Sequence, residues 1–214
     1  MVEQRTVNPF VPGSSPGQGA NFSILKASSD VFFVAIVTIN MISYQTLANL
    51  ASKFMSKSRV MKFGLNLSPM YRRTSAKVTY ISEDFLKIKI KLPYSYKNAN
   101  YVNTIFGGSM FSAVDPFPMI QLMNLIGDDY VVWDKAAEIF FRRPAREDLY
   151  AEFTYTSEEI EEIKQKAIDS NEFEITKTTH LTNKDKSIVY CEVRKKVYIA
   201  NKAFFKEKRS KKKN

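Results

Sequence analysis

The chain has one cysteine and one histidine in 214 residues, and each scarcity closes off a class of chemistry. With the single thiol of Cys191 there is neither a disulfide framework nor a cysteine-rich metal site. Cys191 stands in the apolar run Ile188-Val189-Tyr190-Cys191, where a thiol is expected to be buried and inert rather than nucleophilic. His180 lies among threonines in a strand-like stretch and reads as an exposed strand residue. Histidine dyads, catalytic triads and multi-histidine metal sites therefore lack their parts, and no cofactor and no metal ligand set is read from the sequence. Long apolar runs are also missing. Residues 31–39 are the candidate stretch, and they fall short of the roughly 20 apolar residues that a membrane-spanning helix needs. The segment before them is long, proline-containing and nearly neutral, unlike a signal peptide. The expectation is a cytoplasmic protein without membrane insertion.

Positive charge is present but unevenly placed. Of the net +10, residues 202–214 hold seven Lys or Arg against Glu207, so the body of the chain is only mildly basic. Residues 206–214 read as a basic, disordered tail, with salt-sensitive contacts to polyanions and no specific nucleic-acid partner.

The first forty residues differ from the rest. Residues 8–21 form a Pro/Gly/Ser/Asn tract, and no helix can span Pro9, Pro12 and Pro16. Gly13-Ser14-Ser15-Pro16 can be encoded by DNA resembling the T-arm of a transfer-RNA gene, and Met41 opens an amphipathic pattern through Ile42, Leu47, Leu50, Ala51 and Phe54. Residues 1–40 are accordingly expected to be a disordered or misassigned extension, with one domain over residues 41–205.

Downstream, strands dominate. Residues 76–81 and 85–92 form a hairpin pattern around Ser82-Glu83-Asp84; Leu86, Ile88, Ile90 and Leu92 alternate with Lys87, Lys89 and Lys91, which places one face on a core and the lysines in solvent. After a Tyr- and Asn-rich loop comes Gly107-Gly108 and an apolar stretch from Met110 to Ile126 with almost no polar face, as in a helix surrounded by protein. Gly127-Asp128 ends it. Extended patterns follow at 130–143, 148–156, 173–183 and 187–200, interrupted by a helix opening at Thr156 and Glu159 in capping-box spacing. The acidic run of that helix, Glu158 to Glu162, suits its dipole and reads as solvated charge.

Strand, strand, buried helix and a further run of strands is the order of an α+β hotdog fold, an antiparallel sheet wrapped around one long central helix. At residues 103–115, Asn-Thr-Ile-Phe-Gly-Gly-Ser-Met-Phe-Ser-Ala-Val-Asp, the chain resembles the hotdog thioesterases related to the phenylacetic-acid-degradation enzymes. In those a His-Gly-Gly loop enters the helix and an acid follows seven residues after the second glycine, a spacing that Gly108 and Asp115 keep. The wider pattern, continuing through Asp115-Pro116, residues 135–141 and Arg143-Pro144, is similar to an uncharacterised thioesterase-like branch of the hotdog superfamily, over residues 63–200. The resemblance implies hydrolysis of an acyl-CoA or other acyl thioester, in a homodimer or dimer of dimers whose two subunits supply different halves of each pocket.

The residues carry their own argument. Gly107 and Gly108 have no Cβ to obstruct a ligand, and the unpaired N–H groups of the helix start, Gly108 among them, can stabilise the oxyanion of an attacked thioester. Asp115 is the candidate catalytic residue, either activating water or attacking directly; Asp115 followed by Pro116 also has the form of a helix N-cap, and both roles stay open. Asn103, Gly107, Ser109 and Phe106 are the candidate substrate-binding residues, and the alternative for Asn103 is a loop residue bonding its own backbone. Phe106 stands where the family motif has histidine, so any step using that imidazole is absent. Phe117, Met119 and Met123 suit either an acyl tunnel or plain core. The rival reading is a non-catalytic hotdog module that binds an acyl thioester or acts as a dimeric scaffold.

Overall fold

The structure, a computed structural model, describes residues 55–211. The expected extension over residues 1–40 and the helix opened by Met41 lie outside the described residues. The helix α1 (Lys57–Leu67) and the single turn α2 (Pro69–Arg72) precede the hairpin of β1 (Lys77–Ile81) and β2 (Lys87–Leu92). Two helices follow, α3 (Gly107–Val114) and α4 (Phe117–Ile126), then β3 (Tyr130–Phe141), β4 (Leu149–Thr154), helix α5 (Ser157–Ser170), β5 (Glu172–Thr182), β6 (Val189–Asn201) and helix α6 (Lys202–Lys211). The six strands form one antiparallel sheet in the order β1-β2-β4-β5-β6-β3, so among the described residues the long strand β3 has an open edge.

The alternation read in β2 holds: Ile88, Ile90 and Leu92 are buried, while Lys89 and Lys91 pair with Glu152 and Asp148 at 3.0 and 2.6 Å on the outer side. The inner face of the sheet carries two linked apolar clusters. One gathers Ile88, Ile90, Ala151 and Phe153 around Met110, Ala113, Val114 and Phe117; the other gathers Val132, Val197 and Ile199 around Leu122, Ile126 and, from α5, Ile160 and Ile163. The helical stretch therefore lies with one face on the sheet and is covered in part by Tyr71 and α5, while Ser112 and Met123 stay exposed, the latter at 48%.

That stretch is not one continuous helix. Pro116 has no N–H to donate to the preceding turn, and α3 ends at Asp115 before α4 restarts at Phe117. The break frees carbonyls that side chains then satisfy. The buried Tyr71 hydroxyl donates to Ala113 O at 3.1 Å, and Tyr71 packs edge-on against Phe117 with ring centres 5.5 Å apart.

Two smaller expectations fare differently. Thr156 does cap α5, its hydroxyl accepting from Glu159 N–H at 3.1 Å. The lysine-rich segment read as disordered is instead helical through Lys211. Asn201 Oδ1 accepts from Ala203 N–H at 2.9 Å at its start, and Lys208 binds the Glu172 carboxylate at 2.5 and 2.6 Å. Lysine, alanine and glutamate are good helix formers, and with no Gly or Pro in residues 202–211 a few anchors on the sheet suffice.

Candidate active site

The entry to α3 is built by the loop over residues 93–106, and two asparagines organise it. Asn98 is buried; its amide donates to Pro93 O at 2.7 Å and accepts from Ser95 N–H at 3.0 Å. Asn100 Oδ1 accepts from the N–H groups of Val102 and Thr104, each at 3.1 Å. The loop then closes on itself through Phe106 N–H to Asn98 O at 2.8 Å. Phe106 becomes the residue before the helix, and its carbonyl receives the N–H groups of Ser109 and Met110 at 2.9 and 3.2 Å. Among the described residues, the N–H groups of Gly107 and Gly108 have no acceptor, so they project from the positive end of α3.

The space over these two glycines is occupied by aromatic rings. A Cβ on Gly107 would lie 2.6 Å from the Phe141 ring, and one on Gly108 would lie 2.3 Å from the Phe106 ring. Both phenylalanines are more than half exposed. Exposed, movable rings thus lie close over both glycines, and a ligand reaching these N–H groups displaces the rings. Neither ring can exchange a proton.

At the other end of α3 the side chain of Asp115 caps no helix. Asp115 is the helical residue closing α3, Pro116 precedes α4 without a capping side chain, and the Asp115 carboxylate turns to the ammonium of Lys195 on β6. Lys195 is almost fully buried, 4% exposed at its side chain; its Nζ also donates to Asp115 O at 3.0 Å and to Asp134 Oδ2 of β3 at 3.0 Å. The Phe111 ring lies 5.7 Å from the same ammonium, within cation–π range. One cation serves two carboxylates, leaving a local surplus of one negative charge. Burial holds the Asp134 carboxyl above the usual carboxylate range; Lys195 opposes that shift, and Asp115 adds to it. The ammonium also faces the negative end of α3. It fixes the Asp115 carboxylate at the helix break, with the remaining Asp115 oxygen open on a side chain that is 42% exposed.

Residues 56–199 match the family model described as a domain of unknown function, DUF4442. The chain belongs to the DUF4442 family. Among curated proteins none matches the sequence. Among solved structures, a protein of unknown function and probable thioesterase from Pseudomonas aeruginosa superposes with a TM-score of 0.59 at 17% identity, over 67% of this chain and 95% of that one. A protein of unknown function from Chlorobaculum tepidum superposes with a TM-score of 0.54 at 13% identity, over 67% and 96%. The DUF4442 chain has the hotdog fold.

Within this DUF4442 domain the sequence-derived candidates separate into two places. Phe106, Gly107, Gly108 and Ser109 share the helix start, with the Ser109 N–H already spent on Phe106 O. Asn103 is a turn residue. Its φ of 58° is in the left-handed region, its N–H donates to Asn100 O at 2.9 Å, and its carbonyl accepts from the Tyr94 hydroxyl at 3.0 Å. Asp115 stands seven residues beyond Gly108, about 10 Å along the helix axis at 1.5 Å per residue. One carbon cannot touch both ends within a single chain. Cys191 is fully buried and its thiol is pushed up to about 11 by burial, and His180 is exposed on β5, as the sequence suggested. Among the described residues no three His, Cys, Asp or Glu side chains converge to hold a metal ion, and no helix is long and apolar enough to cross a membrane.

Lys195, Asp134 and Phe141 escaped the sequence reading. Only Lys195 carried a usable signal, since it falls in step with Val193, Val197 and Ile199 on the inward face of β6.

Proposed function

We propose that the chain hydrolyses an acyl thioester carried on coenzyme A, working as a homodimer or dimer of dimers. The observation that carries this reading is the presence on one helix of two free N–H groups, at Gly107 and Gly108, and of the Asp115 carboxylate, which Lys195 of β6 holds. The thioester carbonyl rests on the helix start, whose donors stabilise the oxyanion; such donors are typically worth about 3 kcal/mol each. The Asp115 carboxylate takes a proton from water as the water oxygen bonds to the carbonyl carbon. The tetrahedral intermediate then collapses, the C–S bond breaks, and the departing thiolate receives the proton from Asp115.

Because the two groups are about 10 Å apart along α3, the acid facing a bound carbonyl comes from a second copy. The open edge of β3, exposed from Trp133 to Glu138, supports pairing between copies, since an unpaired strand edge is a template for another strand. A second reading has one specific observation in its favour: the rings of Phe106 and Phe141 lie over the glycines, as suits a module that binds an acyl thioester without turning it over. A hydrolysis screen of purified full-length protein over acyl-CoA chain lengths tests the proposal. Thioesterase activity is expected, and its absence on every thioester replaces the enzyme with the binding module.

A further inference from the structure

On the outer face of the sheet, Trp133 of β3 stands opposite Tyr198 of β6 in register. Phe205 of α6 leans over Tyr198 with ring centres 6.4 Å apart and planes at 56°. Together with Asp134, Lys135, Lys208 and Arg209 they line a groove of about 370 Å³. The volume is in the range of small-molecule sites.

A tryptophan left 57% exposed beside two further rings is unusual in a site with no task. Lys208 and Lys135 are already held by Glu172 and Glu174, whereas Arg209 has no carboxylate partner among the described residues. The groove thus combines a flat aromatic platform, a free guanidinium and two more ammonium groups within reach. Aromatic faces stack nucleobases, and Arg recognises phosphate with its planar fork.

We infer that this groove binds the phosphorylated adenosine end of the thioester carrier. The inference rests on the thioester reading above and deepens it by placing the nucleotide end of the coenzyme A carrier; a protein-bound pantetheine lacks the base and its phosphate. Asp134, next to Trp133 on β3, also lines the groove, and its carboxylate shares Lys195 with Asp115. A nucleotide stacked on Trp133 sits on β3, the strand that carries the open edge. Strand pairing along that edge uses backbone groups and leaves the outer-face rings open. The flanking Glu172, Glu174 and Asp134 oppose a long polyanion and favour a single nucleotide end.

Trp133 is the one tryptophan of the chain, so its fluorescence reports the groove without a label. Full-length protein is titrated with adenosine 3′,5′-bisphosphate, with adenosine, with inorganic phosphate and with a single-stranded oligonucleotide. A saturable change with the bisphosphate is expected, at least about tenfold tighter than adenosine and about tenfold weaker in Arg209→Ala, which keeps the wild-type melting temperature. No saturable change, an Arg209→Ala affinity equal to wild type, or tighter binding of the oligonucleotide overturns the inference. None of these probes contains a thioester, so the result is independent of whether hydrolysis is found.

Discussion

Lys195 holds Asp115 twice, by its carboxylate and, at 3.0 Å, by its carbonyl, although the two residues are 80 positions apart. The contact ties the break between α3 and α4 to β6 and sets the direction of the candidate acid.

Removing this lysine should cost stability as well as activity. Lys195→Met leaves the partly buried Asp134 carboxylate and the Asp115 carbonyl without their donor, a loss of about 2 kcal/mol at neutral pH. Adding Asp134→Asn should recover part of it. Denaturant midpoints of the two variants and the wild type measure both effects; a Lys195→Met midpoint equal to wild type would show that the ammonium is dispensable.

The pH response of Asp134 has a definite sign. Its folded carboxyl is raised above the ordinary value of 3.8 by burial, so the folded state holds that proton more tightly than the unfolded chain. Its favourable contribution is full below 3.8 and is lost as the pH rises through the folded value. Asp134→Asn cannot ionise and should gain stability relative to wild type over that same rise. The salt-bridged Asp148 and Glu152, whose Lys partners hold them below the carboxylate range, act in the opposite sense and weaken the fold as pH falls. They are common to both proteins and cancel in the difference.

At the helix start, Gly108→Ala separates stability from function. Alanine is favoured over glycine within a helix by about 1 kcal/mol, and the Phe106 ring it meets is exposed and can swing away. The melting temperature should hold or rise slightly while thioester turnover falls, because the methyl group and the displaced ring crowd the carbonyl site. Turnover at the wild-type level in Gly108→Ala would remove this helix end from the mechanism.

The two-copy site makes a prediction of its own. Gly108→Ala and Asp115→Asn each damage a different half, so mixed dimers contain one intact pair. Random reassortment of equal amounts should restore about a quarter of wild-type activity from two inactive parents. Recovery no greater than the sum of the parents would place both halves in one chain.

Much of this architecture was legible because hydrophobic period is a local property. The alternation of Leu86 to Leu92 gave β2, and the unbroken apolar surface from Met110 to Ile126 gave a buried helix, with Pro116 marking where it yields. The site was legible only in part. Lys195 lies between Arg194 and Lys196, and the two-residue phase that turns it inward gains meaning only when α3 delivers Asp115 from far along the chain. Asn103 looked like a ligand residue because the motif includes it, while the loop depends on Asn98 and Asn100, whose bonds are to backbone groups that no spacing reveals. The tail misled for the opposite reason. Its charge suggested disorder, and its anchors, Asn201, Phe205 and Lys208, are single contacts to the sheet.

The most direct measurement is acyl-CoA hydrolysis by Asp115→Asn beside the wild type. Asparagine keeps the shape and an oxygen for Lys195 but cannot accept the water proton, so turnover should fall about 10²- to 10⁴-fold, the usual contribution of a general base, with KM little changed. Wild-type turnover in Asp115→Asn would contradict the account.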